Sequence, residues 1–143
     1  MLSSRLRAIV DALPLRRGMR ILEIGCGTGA MAREISERIG DGYVLGIDRS
    51  GGAIAKSRSI RLAPEGGVTL EFKCISAEEF ELPPGEDLFD LAVAIRVGAF
   101  DGRYPEVGRI AIPRIFQALK DSAKFFVDGG TPIKELYLTD SVK

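Results

Sequence analysis

Residues Leu88–Ile95 read Leu-Phe-Asp-Leu-Ala-Val-Ala-Ile, apolar at nearly every position. A strand with one face in water alternates, so a strand apolar on both faces must be covered on both. Helices packed on each side of a parallel sheet meet that demand. The rest of the chain supplies the parts. Arg20–Ile24 and Tyr43–Ile47 read as short buried strands, Val68–Cys74 alternates as another, and Ala123–Val127 is a fifth. Between them the apolar spacing turns helical. Leu2, Leu6, Ile9, Val10 and Leu13 form the stripe of an N-terminal amphipathic helix, and Met31, Ile35 and Ile39 that of a helix over Thr28–Ile39. Gly40-Asp-Gly42 is turn chemistry. Ser50 is an N-cap for a helix reaching about Leu62, before Pro64 and Gly66-Gly67. Ile112, Ile115, Phe116 and Leu119 mark a last helix, which Pro113 either opens or kinks if it starts near Pro105. Such alternation implies right-handed crossovers between parallel strands.

A chain of 143 residues suits one domain, here 1–143. It is long enough to bury a core without a disulfide or metal. With 20 basic and 20 acidic residues its net charge is zero, which argues against a nucleic-acid partner. The longest apolar run, Leu91–Ile95, is far too short for a membrane span. The chain has no histidine, which excludes Ser-His and Cys-His catalysis and His-ligated metals within it. Cys26 and Cys74 form no Cys-x-x-Cys pair and read as two small buried apolar side chains in a reducing compartment. An amphipathic helix at the N-terminus, in place of a targeting segment, points to a cytoplasmic protein.

In open parallel sheets ligands bind beyond the carboxyl ends of the strands, beside the first one. There the chain reads Glu23-Ile-Gly25-Cys26-Gly27-Thr28-Gly29, with glycine at every second position between a strand and a helix. Glycine lets the backbone turn sharply and approach a ligand closely. Asp48 closes the second strand 23 positions after Gly25 and can accept hydrogen bonds from both hydroxyls of an adenosine ribose. The pair favours an adenosine-containing ligand over a bare turn. A dinucleotide fold requires Gly-x-Gly-x-x-Gly, whereas this loop is Gly-x-Gly-x-Gly preceded by an acid.

That pattern resembles the class I S-adenosylmethionine-dependent methyltransferases, and the resemblance covers nearly the whole chain. LEIGCGTGAMA is similar to the family's first motif, VLGIDRS to its second, ISAEEFELPPGEDLFDLAVA to its adenine loop and fourth strand, and LKDSAKFFVDGG to the segment ending in the fifth. The resemblance implies S-adenosylmethionine as cofactor and S-adenosylhomocysteine as product. The implied fold is α/β, a doubly wound, mainly parallel sheet in strand order 3-2-1-4-5 with helices on both faces. Leu136-Tyr-Leu138 is the one segment able to add an extra C-terminal strand, which would leave a sheet edge for pairing into a homodimer. The cofactor would lie on Gly25, Cys26, Gly27, Thr28 and Gly29, with Glu23 orienting the loop and the ligand's ammonium group. Asp48 and Arg49 would flank the ribose, Ser76 and Ala77 the adenine, and Arg96 would close the set. The family often has Asp where Ser76 stands, so the Ser76 hydroxyl and Ala77 amide replace it, with Glu78 able to assist or merely solvated.

Methyl transfer from a sulfonium is one in-line displacement, and alignment supplies most of its acceleration. A hydroxyl or ammonium acceptor also needs a base. Without histidine the candidates are Asp101, Tyr104, Glu106 and Asp128, and Asp101 and Tyr104 are expected to be catalytic because their loop follows the fourth strand. That loop lacks the Asn-Pro-Pro-Tyr box of enzymes that methylate amide or adenine nitrogens. Asp101 with Asp128 would suit a divalent ion, but an exposed Asp101-Gly102 turn is the reading preferred, so no metal is expected. Residues 65–90 hold eight acids against Lys73 alone, a solvated or cation-attracting rim. Arg96 and Arg103 point to a carboxylate- or phosphate-bearing substrate. Three functions follow: a methyltransferase acting on a small-molecule acceptor, a non-catalytic S-adenosylmethionine-binding module or subunit, and a nicotinamide oxidoreductase, which the glycine spacing disfavours.

Overall fold

The computed structural model describes residues 2–60 and 66–138. Its elements are α1 (Ser4–Ala12), β1 (Arg20–Ile24), α2 (Ala30–Ile39), β2 (Asp41–Asp48), α3 (Gly51–Ser59), β3 (Gly67–Cys74), β4 (Phe89–Ala94), α4 (Pro105–Gln117), β5 (Leu119–Asp128) and β6 (Ile133–Leu136). The six strands form one sheet in the order β3-β2-β1-β4-β5-β6. The pairs from β3 to β5 are parallel, and β6 runs antiparallel to β5.

Both faces of the sheet are covered, as the apolar β4 demands. On one face Leu91 and Val93 pack with Ile9 and Val10 of α1, Ile35 of α2 and Ile54 of α3. On the other Ala92 and Ala94 pack with Phe125 and with Ala111 and Ile115 of α4. Burial of these side chains, about 1.5–3 kcal/mol for each large one, is the main driving force for the layered arrangement. At the amino end of β1 the Arg20 guanidinium lies 4.5 Å from the Tyr43 ring centroid and 5.5 Å from that of Phe89, a cation–π contact with both stacked rings.

Several boundaries differ from the sequence reading. The helix expected from Thr28 begins at Ala30, because Gly29, at φ 89°, is its N-cap. Gly40-Asp-Gly42 is no isolated turn: Gly40 ends α2 in the left-handed region, and Asp41 and Gly42 already pair with Gly67 and Val68. The helix from Ser50 ends at Ser59, and Leu62 and Pro64 lie outside the described residues. Pro113 falls inside a helix that starts at Pro105. The fifth strand begins at Leu119, not Ala123, since a bulge shifts the register between Phe89↔Leu119 and Leu91↔Lys124. The extra strand is Ile133–Leu136, upstream of the expected Leu136–Leu138.

Candidate functional site

Beyond the carboxyl ends of β1, β2 and β4 the sheet opens into a cavity of about 540 Å³. That is the range of small-ligand sites. The glycine loop borders it, with Gly25 in the lining. Gly25, Gly27 and Gly29 have φ of 72°, 55° and 89°, all left-handed. Side chains at two of them are excluded: a Cβ on Gly25 would lie 2.5 Å from Val97 Cγ2, and one on Gly29 2.6 Å from the Phe72 ring. Gly27 instead borders open space. The Gly25 and Cys26 amides both donate to the Ile47 carbonyl, at 2.8 and 3.0 Å, fastening the loop to the end of β2.

Asp48 is held from both sides. Its Oδ2 accepts from the Gly27 amide and its Oδ1 from the Ser50 amide, each at 2.9 Å. Each oxygen keeps a second lone pair, and Asp48 lines the cavity with Gly25 and Arg49. Glu23 is different. It is only 4% exposed, its Oε1 has no partner, and it does not line the cavity. Burial pushes its carboxyl up to about 8, against the pull of an Ala32 amide hydrogen bond. Cys26 is buried under the loop facing Gly46, and burial together with Glu23 and Asp48 raises its thiol. Cys74, expected to be buried as well, is exposed at the end of β3 with its thiol on the Arg49 carbonyl. Thr28 offers its carbonyl to Arg33 Nη1 at 2.9 Å and, like Gly27 and Gly29, is not among the lining residues.

Ser76, Ala77 and Glu78 form the wall beyond β3. The Ser76 hydroxyl donates to Glu79 Oε1 at 2.7 Å, so only its lone pairs are left for another partner. Ala77 is buried in a 3-10 turn that packs on α4.

The opposite wall is the segment after β4. Arg96 stands at φ 59°, the one non-glycine residue with positive φ among the described residues. Tyr104 lies against Gly98, where a Cβ would strike its ring. Both Arg96 and Tyr104 line the cavity; Asp101 does not. The Asp101 carboxylate is gripped by Arg103, whose Nε lies 2.8 Å from Oδ2 and 3.1 Å from Oδ1. Glu106 is also absent from the lining, and Asp128 pairs with Arg5 at 3.8 Å. Among the described residues no group of three or more Cys, Asp or Glu side chains is placed to hold a metal ion. The apolar part of this wall is Val97 and Ala99, inside the loop expected on the acceptor side, and Val107, which sequence reasoning missed. Val107 lies on the first turns of α4, which become legible only once Pro105 is known to open the helix.

Comparison with known proteins agrees with this geometry. The family described as a methyltransferase domain matches residues 21–122. A ubiquinone biosynthesis O-methyltransferase of Azorhizobium caulinodans is 35% identical over 89 residues, 61% of this chain and 33% of that protein. An S-adenosylmethionine-dependent methyltransferase from Mesorhizobium loti superposes with a TM-score of 0.62 at 29% identity, over 87% of this chain and 53% of that one. One from Geobacter sulfurreducens, solved with S-adenosyl-L-homocysteine, shares the fold with a TM-score of 0.65 at 21% identity, over 89% and 48% of the two chains. The matched stretches span 21%, 28% and 33% of three curated relatives, so the chain covers about a fifth to a third of their length. The match over residues 21–122, joined to the parallel sheet and the glycine loop at the end of β1, places the chain in the methyltransferase domain family.

Proposed function

We propose that the cavity binds S-adenosylmethionine and that the chain directs its methyl group to a small-molecule acceptor. The observation that carries this reading is Asp48, its two oxygens fixed by backbone amides beside a glycine that opens onto free space. A carboxylate held this way needs no rearrangement to accept from a vicinal diol. The residues present fit the cofactor. Ile75 and Ala77 offer an apolar slot for the adenine, and Ser76 and Glu78 offer it acceptor oxygens. Gly25 brings backbone without a side chain to the cavity lining, and Gly27 beside Asp48 borders open space.

When bound, S-adenosylmethionine supplies an electrophilic methyl group on a sulfonium, an already good leaving group. The protein's task is then alignment and exclusion of water. Of the four side chains considered as bases, Tyr104 alone lines the cavity, and its hydroxyl is assigned to hold the acceptor's hydroxyl or amine. Asp101 acts through Arg103 as a positioning residue. A small-molecule acceptor agrees with relatives named for ubiquinone biosynthesis and for sterol 24-C-methylation. We read residues 1–143 as one such unit around one sheet, with β6 as the edge through which two copies pair; sedimentation velocity tests the pairing. No helix among the described residues is long and apolar enough to cross a membrane. The unpaired Cys26 and Cys74 support a cytoplasmic setting.

The test is calorimetric titration with S-adenosylhomocysteine, followed by transfer of a labelled methyl group into a fractionated cell extract. Saturable binding with label in a small-molecule fraction is expected. No heat at millimolar ligand would overturn the cofactor assignment. Binding without transfer would leave a cofactor-binding module.

A further inference from the structure

We propose that the wall after β4 is an anion subsite, in which Arg96 and Arg103 recognise a carboxylate or phosphate on an acceptor with an apolar body; this rests on the methyltransferase reading of the cavity. Strand order separates the subsite from the ribose carboxylate. Asp48 ends β2 and Arg96 follows β4, and these strands flank β1 on opposite sides. Both lining carboxylates, Asp48 and Glu78, stand on the β2–β3 side together with Arg49, whereas the wall after β4 brings only cations to the lining, Arg96 and Arg103.

Arg103 is immobilised before any ligand arrives. Its Nε is held by Asp101, and its Nη2 donates to the Arg96 carbonyl at 2.9 Å. A guanidinium already fixed loses little freedom on binding. The Asp101 charge offsets that of Arg103, so Arg96 carries the wall's uncompensated charge. Arg96 is exposed, lines the cavity, and its guanidinium makes no hydrogen bond or ion pair with any described residue. Its φ of 59° is a conformation that glycine adopts freely and arginine does not. Neither packing nor backbone preference accounts for arginine there, whereas a ligand anion would. Val97, Ala99 and Val107 complete the wall with apolar surface, which suits a hydrocarbon body carrying the anion.

The experiment titrates the protein, saturated with S-adenosylhomocysteine, with benzoate, phenyl phosphate and neutral benzamide. At least one anion is expected to bind 10-fold or more tightly than benzamide, and the stronger arm identifies carboxylate or phosphate. Arg96, expected among the cofactor residues, stands after β4, across β1 from Asp48, which moves it to the acceptor side. Arg96→Gly should therefore abolish that preference, with a melting temperature no lower than the parent's. A merely structural arginine would not combine these results. Arg103→Gln should weaken the same anion, and Arg103→Lys should recover part of the loss. Equal binding of benzamide and both anions, or anion binding unchanged in Arg96→Gly, overturns the subsite. A 10-fold loss of S-adenosylhomocysteine affinity in Arg96→Gly would instead assign Arg96 to the cofactor's own carboxylate and also overturns it. Failure of the parent to bind S-adenosylhomocysteine removes the underlying reading itself, a result distinct from these.

Discussion

Asp48 and Glu23 are carboxylates of one loop system with opposite surroundings. Asp48 accepts two backbone amides at the cavity edge, whereas Glu23 is buried with one oxygen unpartnered. Replacing Asp48 by Ala should weaken S-adenosylhomocysteine by about 2–3 kcal/mol, roughly 30- to 150-fold in Kd, which calorimetry reads directly. Unchanged affinity would reduce Asp48 to a brace for Gly27. For Glu23 the expectation concerns pH. Its carboxyl rises from an ordinary 4.5 to about 8 on folding. Between those values the unfolded chain has lost a proton that the folded chain retains. Its contribution to stability therefore falls as pH rises through this window and levels off above it. Glu23→Gln keeps an acceptor for the Ala32 amide and removes the titration. It should be more stable than the parent at pH 8, by on the order of a few kcal/mol, with the gap nearly closed at pH 5. Urea melts at both pH values check it. At this scale the places of Gly25 and Asp48 at the strand ends followed from local backbone pattern, whereas Gly27, Thr28 and Gly29, read as ligand-bearing, do not line the cavity. The Arg96 conformation and the Tyr104–Gly98 contact were not legible, since neither follows from residue type or spacing.

Helix α4 shows where legibility stops for elements. Pro105 at its start and Pro113 inside it present the same residue in two roles, and only packing distinguishes them. Gly108 supplies that packing. A Cβ there would run into the Ala99 carbonyl oxygen, so the helix backbone lies directly on the loop that forms the cavity's second wall. Gly108→Ala should therefore destabilise the protein by about 1–3 kcal/mol in spite of Ala's higher helix propensity. It should also impair turnover more than cofactor affinity, because the displaced loop carries Tyr104. A thermal melt beside the methyl-transfer assay checks both. An unaltered melting temperature would show that α4 shifts freely and does not fix the wall. The β5 bulge is a parallel case. Its side chains read as a strand only from Ala123, yet pairing begins at Leu119 opposite Phe89, and Lys120 beside it reaches Asp90 Oδ1 at 2.7 Å. Long-range ion pairs of this kind leave no local pattern in a sequence.

The whole molecule is built around one crevice. β1 lies between β2 and β4, and the cavity draws its walls from segments on both sides of it, Asp48 to Arg49 and Ser76 to Glu78 on one and Arg96 to Tyr104 on the other. A ligand in that crevice bridges the two halves of the sheet and binds only when both are folded, so its binding energy becomes folding energy. At a concentration 100 times its Kd, S-adenosylhomocysteine should add about 2.7 kcal/mol, which for a chain of this size raises the melting temperature by on the order of 10 °C. NAD carries the same adenosine and so tests discrimination. Its pyrophosphate requires a helix N-terminus set behind a Gly-x-Gly-x-x-Gly turn. Here the third glycine comes one residue early and is itself the N-cap of α2, packed on Phe72. NAD at the same concentration should therefore move the transition by less than about 1 °C, on the same linkage relation, because its occupancy would be far below saturation. Equal shifts with both ligands would mean that the crevice recognises adenosine alone and that the glycine spacing does not select the cofactor. A shift with NAD only would return the chain to nicotinamide chemistry in spite of its family. A shift with S-adenosylhomocysteine only, lost in Asp48→Ala, ties the stabilisation of the whole sheet to one carboxylate at its switch point.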